Sequence, residues 1–281
     1  MDLAEPHTST WRAHLALGFR RRDTATILAR REHVGPLRVQ KPLYPEGEAV
    51  CHAIVLHPPS GIAGGDELEI DVTVGQGAHA LLTTPGAGKW YRSAGAWASQ
   101  RLGFAVGAHG TLEWLPQETI VFDAARAAMD SSVELDAEAR FIGMEVLCLG
   151  RRASGEGFGN GALHLATRVR RAGQPIWLER GRLEGGSGLL GSPAGLAGFS
   201  VSGTLLAVAP HIEPGLLAAC REIPALESGA RHGLTHLPDM LVARYLGHSS
   251  EAARHWFVAL WQVLRPALIG REAHRLRIWS T

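Results

Sequence analysis

At 281 residues, with 46% hydrophobic and 20% charged residues, the chain has the composition of a folded protein with a sizeable core, which excludes a disordered chain. Twenty-eight Lys and Arg against 27 Asp and Glu leave a formal charge of +1, which argues against a general nucleic-acid binder with its basic field. The basic runs Arg20-Arg21-Arg22 and Arg168, Arg170, Arg171 have acidic residues interspersed around them and read as strand edges or partner contacts.

From the start of the chain, Asp2, Glu5 and His7 precede any apolar run, unlike the basic-then-hydrophobic order of a secretory signal. Cys51, Cys148 and Cys220 stand far apart with no C-x-x-C pair, an odd and sparse set that fits a reducing cytoplasm. His52 and His57 flank an apolar run, and their spacing of five puts them on opposite faces of a strand. Residues 67–74 alternate strictly: Leu68, Ile70, Val72 and Val74 on one face, Glu67, Glu69, Asp71 and Thr73 on the other. The alternation returns at Leu102, Phe104 and Val106, at Val133, Leu135 and Ala137, and at Leu163, Leu165, Thr167 and Val169. Glycine-rich punctuation, such as Gly75-Gln76-Gly77 and Ala108-His109-Gly110, separates the runs and predicts an antiparallel succession of strands.

Residues 188–210 carry no charge and approach the length of a membrane span, but Gly188, Gly191, Gly195, Gly198, Gly203 and Pro193 make a lipid-facing helix poor. A loop leading into a buried strand over 201–208 is predicted instead. A weak helix is expected near 215–221. A convincing one has Ala252, Trp256, Leu260, Val263 and Leu264 on one face, with Ser249 or Ser250 capping its start and Pro266 marking its stop. No β-α-β alternation appears, so the expectation is a mostly β fold of many short, largely antiparallel strands in a single domain over residues 1–281, with few helices, the clearest near the C-terminus.

Little in the chain looks catalytic. Gly88-Lys89 hints at a phosphate loop, but Thr83 stands where such a loop needs glycine and Trp90 where it needs Ser or Thr, so a tight turn with a basic, aromatic surface patch is expected. His232 and His236 have a spacing of four, but Pro238 argues against a continuous helix there. Glu113 and Glu118 bracket a short segment, with Asp123 beyond. Paired carboxylates could serve as general acid and base, as in a carbohydrate-active hydrolase, although spacing alone does not establish that. Asp66 follows Gly64-Gly65 and can satisfy the backbone donors of that turn. No serine lies in a nucleophile elbow.

Six blocks in register, residues 35–46, 57–66, 83–93, 112–118, 150–156 and 277–281, closely resemble the UreD (UreH) family of urease accessory proteins. The departures are small: Ser60 stands where the family commonly has a second glycine, Gly88 and Trp90 where Thr and Phe are common, and Leu276 where proline often precedes Arg-Ile-Trp. The resemblance implies a non-catalytic scaffold that acts with apo-urease, UreF and the GTPase UreG, nucleotide hydrolysis belonging to UreG. It implies no permanently bound cofactor and transient nickel in an internal passage, while the near-neutral charge and the glycines of residues 188–210 leave neither nucleic acid nor membrane as an expected partner. Asp66, Glu113, Glu118 and Glu156 are the expected lining of that passage, because carboxylate oxygens can hold and release Ni(II). A structural role for each of these carboxylates, a hydrolase using Glu113 and Glu118, and a plain structural subunit are the competing readings.

Overall fold

A computed structural model describes residues 10–280, so the N-terminal reading at Asp2, Glu5 and His7 lies outside the described residues, as does Thr281. In chain order the elements are β1 (Arg12–Arg22), β2 (Ala25–Val34), β3 (Arg38–Val39), β4 (Cys51–Leu56), β5 (Glu67–Val74), β6 (His79–Thr83), β7 (Gly88–Trp90), β8 (Ala98–Val106) and β9 (Thr111–Trp114). They continue with β10 (Thr119–Val121), β11 (Arg126–Leu135), β12 (Arg140–Leu149), β13 (Ala162–Arg171), β14 (Gln174–Glu184), α1 (Gly188–Gly191) and β15 (Val201–Val208). The last are α2 (Pro214–Arg221), β16 (Arg231–Leu237), β17 (Met240–Gly247) and α3 (Ser250–Ile269). The mostly β class with few helices is therefore what the chain adopts.

The strands form a seven-stranded sheet, ordered β14-β13-β11-β8-β5-β1-β2, facing a ten-stranded sheet built on the path β16-β17-β15-β12-β9-β6-β4-β3. Strand direction departs from expectation: of the fifteen described strand pairs, six are antiparallel. The other nine are parallel. The glycine turns are responsible. Gly75-Gln76-Gly77 does not fold β5 back onto a neighbour as a hairpin; it carries the chain across to β6 in the other sheet. From β4 to β13, leaving aside the short β7 and β10, the chain alternates sheets, so strands stacked within one sheet come from successive windings and run parallel. The turns stack as well, with Gly77 N–H donating to the Ala108 carbonyl at 2.9 Å and Gly107 N–H to that of Val74 at 2.8 Å.

Two apolar layers follow. Between the sheets lie inward residues such as Leu15, Ile70, Phe104, Val133, Leu112 and Leu206. On the other side of the ten-stranded sheet, Ile142, Met144, Leu205 and Ala243 meet α2 and α3. Helix α3 buries Trp256, Phe257, Leu260, Trp261, Leu264 and Leu268 on one stripe, each contributing on the order of 1.5–3 kcal/mol of apolar transfer. Ser249 caps it, its hydroxyl accepting from Ala252 N–H at 3.1 Å. Pro266 does not stop the helix, as expected from sequence, but lies in its last turn. Only the one bond to the Gln262 carbonyl is lost, Leu264 and Leu268 anchor the helix end, and left-handed Gly270 closes it with its N–H on the Pro266 carbonyl at 3.0 Å. The uncharged segment at 188–210 contains the short α1 and the buried strand β15, and no described helix is long and apolar enough to cross a membrane.

Candidate functional site

The four carboxylates singled out from sequence do not converge. Glu113 on β9 points outward from the ten-stranded sheet and is wholly buried beneath α3. It accepts from Trp261 Nε1 at 2.6 Å and Arg265 Nε at 3.0 Å, and lies 2.7 Å from His79 Nε2. Arg265 in turn makes a two-pronged pair with Glu46 at 2.7 and 2.9 Å, and Glu46 meets His52 Nε2 at 2.6 Å. Burial alone would raise the pKa of Glu113, but His79, Arg265 and Trp261 outweigh it and hold the carboxyl below its ordinary value. Glu46 is governed by the same opposition and falls to about 2, the bonds from His52 and Arg265 overcoming desolvation. A wholly buried arginine and two carboxylates thus form a closed network joining α3 to the sheet, a structural arrangement and not an acid–base pair.

Glu118 lies apart, 3.4 Å from Arg254 of α3. Asp66 accepts from Ala63 N–H at 2.8 Å and Trp11 N–H at 3.2 Å, and so does what a carboxylate beside a glycine turn can do. Glu156 receives the guanidinium of Arg151 at 2.5 Å and the backbone N–H of Asp123 at 3.1 Å; the bond from Arg151 leads the causes that lower its pKa to about 2.

Between the sheets lies a cavity of about 350 Å³. None of the four carboxylates lines it; two others do, Glu145 of β12 and Glu179 of β14. The period of two along β12 explains the placement, since Phe141, Leu147 and Leu149 join the layer between the sheets whereas Ile142, Met144 and Val146 face the helices. Glu145 therefore faces the cavity. Desolvation, and then the charge of Glu179, raise its pKa to about 6 against the opposing pull of Arg244. Arg244 bridges the sheets, 2.7 Å from Glu179 Oε1 and donating to Thr204 Oγ1 at 2.8 Å. Gln100, Ser131 and Thr167 extend the polar lining along the seven-stranded sheet.

The segment around Gly88-Lys89 also borders this cavity, and Trp90, expected on a surface patch, is buried, its backbone held between β10 and a bridge to Ile62. His57 lines the same space, its pKa lowered by desolvation despite the charge of Asp66. Ser60 borders it in a left-handed conformation, φ 60°, so the turn does demand the freedom that a second glycine would supply. His232 and His236 lie exposed on the edge strand β16. All three cysteines are buried, and burial pushes the Cys148 and Cys220 thiols up to about 12 and 11, leaving them poor metal ligands.

Sequence reasoning passed over Glu145 and Glu179. A signal for Glu145 was present: it is the one charge within the nine residues 141–149, and a charge amid a run that reads as buried calls for a partner or a role. The lining by Glu179 depends on how the sheets face each other, which spacing does not encode.

Comparison with known proteins gives a consistent answer along the chain. The family described as "UreD urease accessory protein" matches residues 12–280. Among curated relatives, a urease accessory protein UreD from Dechloromonas aromatica (strain RCB) is 58% identical, with 100% of this chain and 99% of the relative covered. The protein of that name from Azoarcus sp. (strain BH72) is 56% identical over 100% and 98%, and that from Nitrosococcus oceani 51% identical over 97% and 91%.

Proposed function

The chain belongs to the UreD family of urease accessory proteins, and from that premise we propose that it matures urease as a non-catalytic scaffold, binding apo-urease with UreF and UreG and letting Ni(II) pass through the cavity between its sheets. The observation that carries this reading is Glu145, an ionisable group facing an internal space in which Glu179 and His57 supply further oxygen and nitrogen donors. Carboxylate and imidazole donors suit a borderline cation and exchange it, where a set of thiolates would retain it. A carboxyl with a pKa near 6 is largely ionised at neutral pH, so Glu145 offers a negative charge to a passing cation. In this reading Glu113 and Glu118 tie α3 to the sheet, Asp66 and Glu156 hold their local turns, and none of the four carries the metal. Nucleotide hydrolysis is assigned to UreG, in keeping with Thr83 and Trp90 at the positions that break a phosphate loop.

The test is Glu145→Gln, expressed with urease and its other accessory proteins under limiting nickel. The expected outcome is unchanged co-purification with urease and a several-fold fall in nickel per urease active site. Normal nickel loading in that variant would refute the role given to Glu145, and loss of co-purification would show it to be structural.

A further inference from the structure

We propose that the outer face of the seven-stranded sheet carries a second, exchangeable site for a divalent first-row cation, formed by His14, Glu69 and Asp71. The proposal goes beyond the passage between the sheets and does not depend on it. The parallel register of β1 and β5 sets His14 opposite Glu69, and the period of two brings Asp71 onto the same outward face. One ligand atom from each of the three lies within 4.8 Å of the others, and His14 Nε2 is 3.0 Å from Asp71 Oδ2, a separation that two ligands on adjacent positions of an octahedral cation can adopt. One imidazole and two carboxylates supply three ligands from one side, leaving the remaining positions to water.

The neighbours favour access. Asp71 lies between Ala16 of β1 and Gly103 of β8 in register, and a Cβ at Gly103 would lie 2.5 Å from Asp71 Oδ1, so glycine there makes room for the carboxylate. The side chains of His14, Glu69 and Asp71 are 39%, 34% and 44% exposed, and a groove of about 530 Å³ runs beside His14 and Glu69 toward Asp130 and Arg168. Nearby Arg30 is paired with Glu32 at 2.7 Å. The competing group is Arg101, ion-paired with Glu69 and itself 60% exposed, which can release that carboxylate to a metal at the modest cost of a surface pair.

Equilibrium dialysis of the full-length chain against Ni(II) alone, repeated with Zn(II), tests the site. His14→Gln and Asp71→Asn should each remove one bound equivalent while keeping the wild-type unfolding midpoint, and Glu145→Gln should retain that equivalent. Arg101→Ala should tighten binding several-fold by removing the competing cation. Unchanged stoichiometry in His14→Gln, loss of the equivalent in Glu145→Gln instead, or no tightening in Arg101→Ala would overturn the assignment. Failure here would leave the passage reading intact, because that reading is judged on nickel delivered to urease.

Discussion

The two sheets are wound from the same stretch of chain yet live in different surroundings. The ten-stranded sheet is covered on both faces, by its partner sheet and by α2 and α3, so all five residues of β6 are buried and β12 is apolar almost throughout. The seven-stranded sheet is covered on one face, so β5 alternates buried with exposed, and its outer face is a lattice of charged side chains such as Arg12 with Glu67 and Arg168 with Asp130. In the covered sheet a polar group must find a partner or a purpose; on the bare face it needs only water. Charges of one chemical type therefore differ in consequence: Glu113 anchors a helix, Glu145 faces a cavity, and Glu67 decorates a surface.

The strongest way to test that contrast is to break the buried network. Arg265→Ala strands Glu113 and Glu46 without their shared cation, and the expected loss of stability is about 3–5 kcal/mol in a denaturant titration. A loss below about 1 kcal/mol would mean that water or local rearrangement satisfies both carboxylates, against the covered-sheet account. Gly203→Ala probes the same side by volume: a Cβ there would lie 2.6 Å from the Phe257 ring, so about 1–3 kcal/mol of destabilisation is expected on thermal unfolding.

Glu145 sharpens the comparison through pH. Its folded pKa, about 6, lies above the ordinary 4.5, so its favourable contribution is present below pH 4.5 and is lost as pH rises through 6. Glu145→Gln should therefore gain up to about 2 kcal/mol relative to wild type at pH 7, with the gap shrinking toward pH 4.5. A gap independent of pH would show that ionisation at this position is not what strains the cavity. Ser60→Gly, relieving a left-handed serine, should stabilise by about 1 kcal/mol. On the bare face Arg12→Ala, which opens the pair with Glu67, should change stability by less than about 0.5 kcal/mol, as unfolding midpoints would show.

The same contrast explains what could be read before the fold was known. The alternation of Glu67–Val74 is visible because one of its faces meets water, and β15 and α3 were equally plain, the former an uncharged run following a glycine-rich loop and the latter periodic and capped. Strands of the covered sheet such as β4, β6 and β12 are largely apolar on both faces and carry no period, so their pairing was hidden. Strand direction was hidden too, because a glycine turn looks the same whether it closes a hairpin or crosses to the facing sheet. Glu113 illustrates the limit for sites: its nearness to Glu118 in sequence suggested paired chemistry, whereas its partner is Arg265, 152 positions away. Asp66 was the reverse case, since a carboxylate after two glycines has backbone donors close at hand, and it uses them.

The central claim, that the space between the sheets conducts nickel, is tested most directly by filling it. Ser131 lines the cavity from β11, and Ser131→Phe places a ring there without altering a charge. With urease and its accessory proteins co-expressed at limiting nickel, metal per urease active site should fall several-fold while the variant still co-purifies with urease. Full nickel loading in an assembled complex carrying Ser131→Phe would contradict the account.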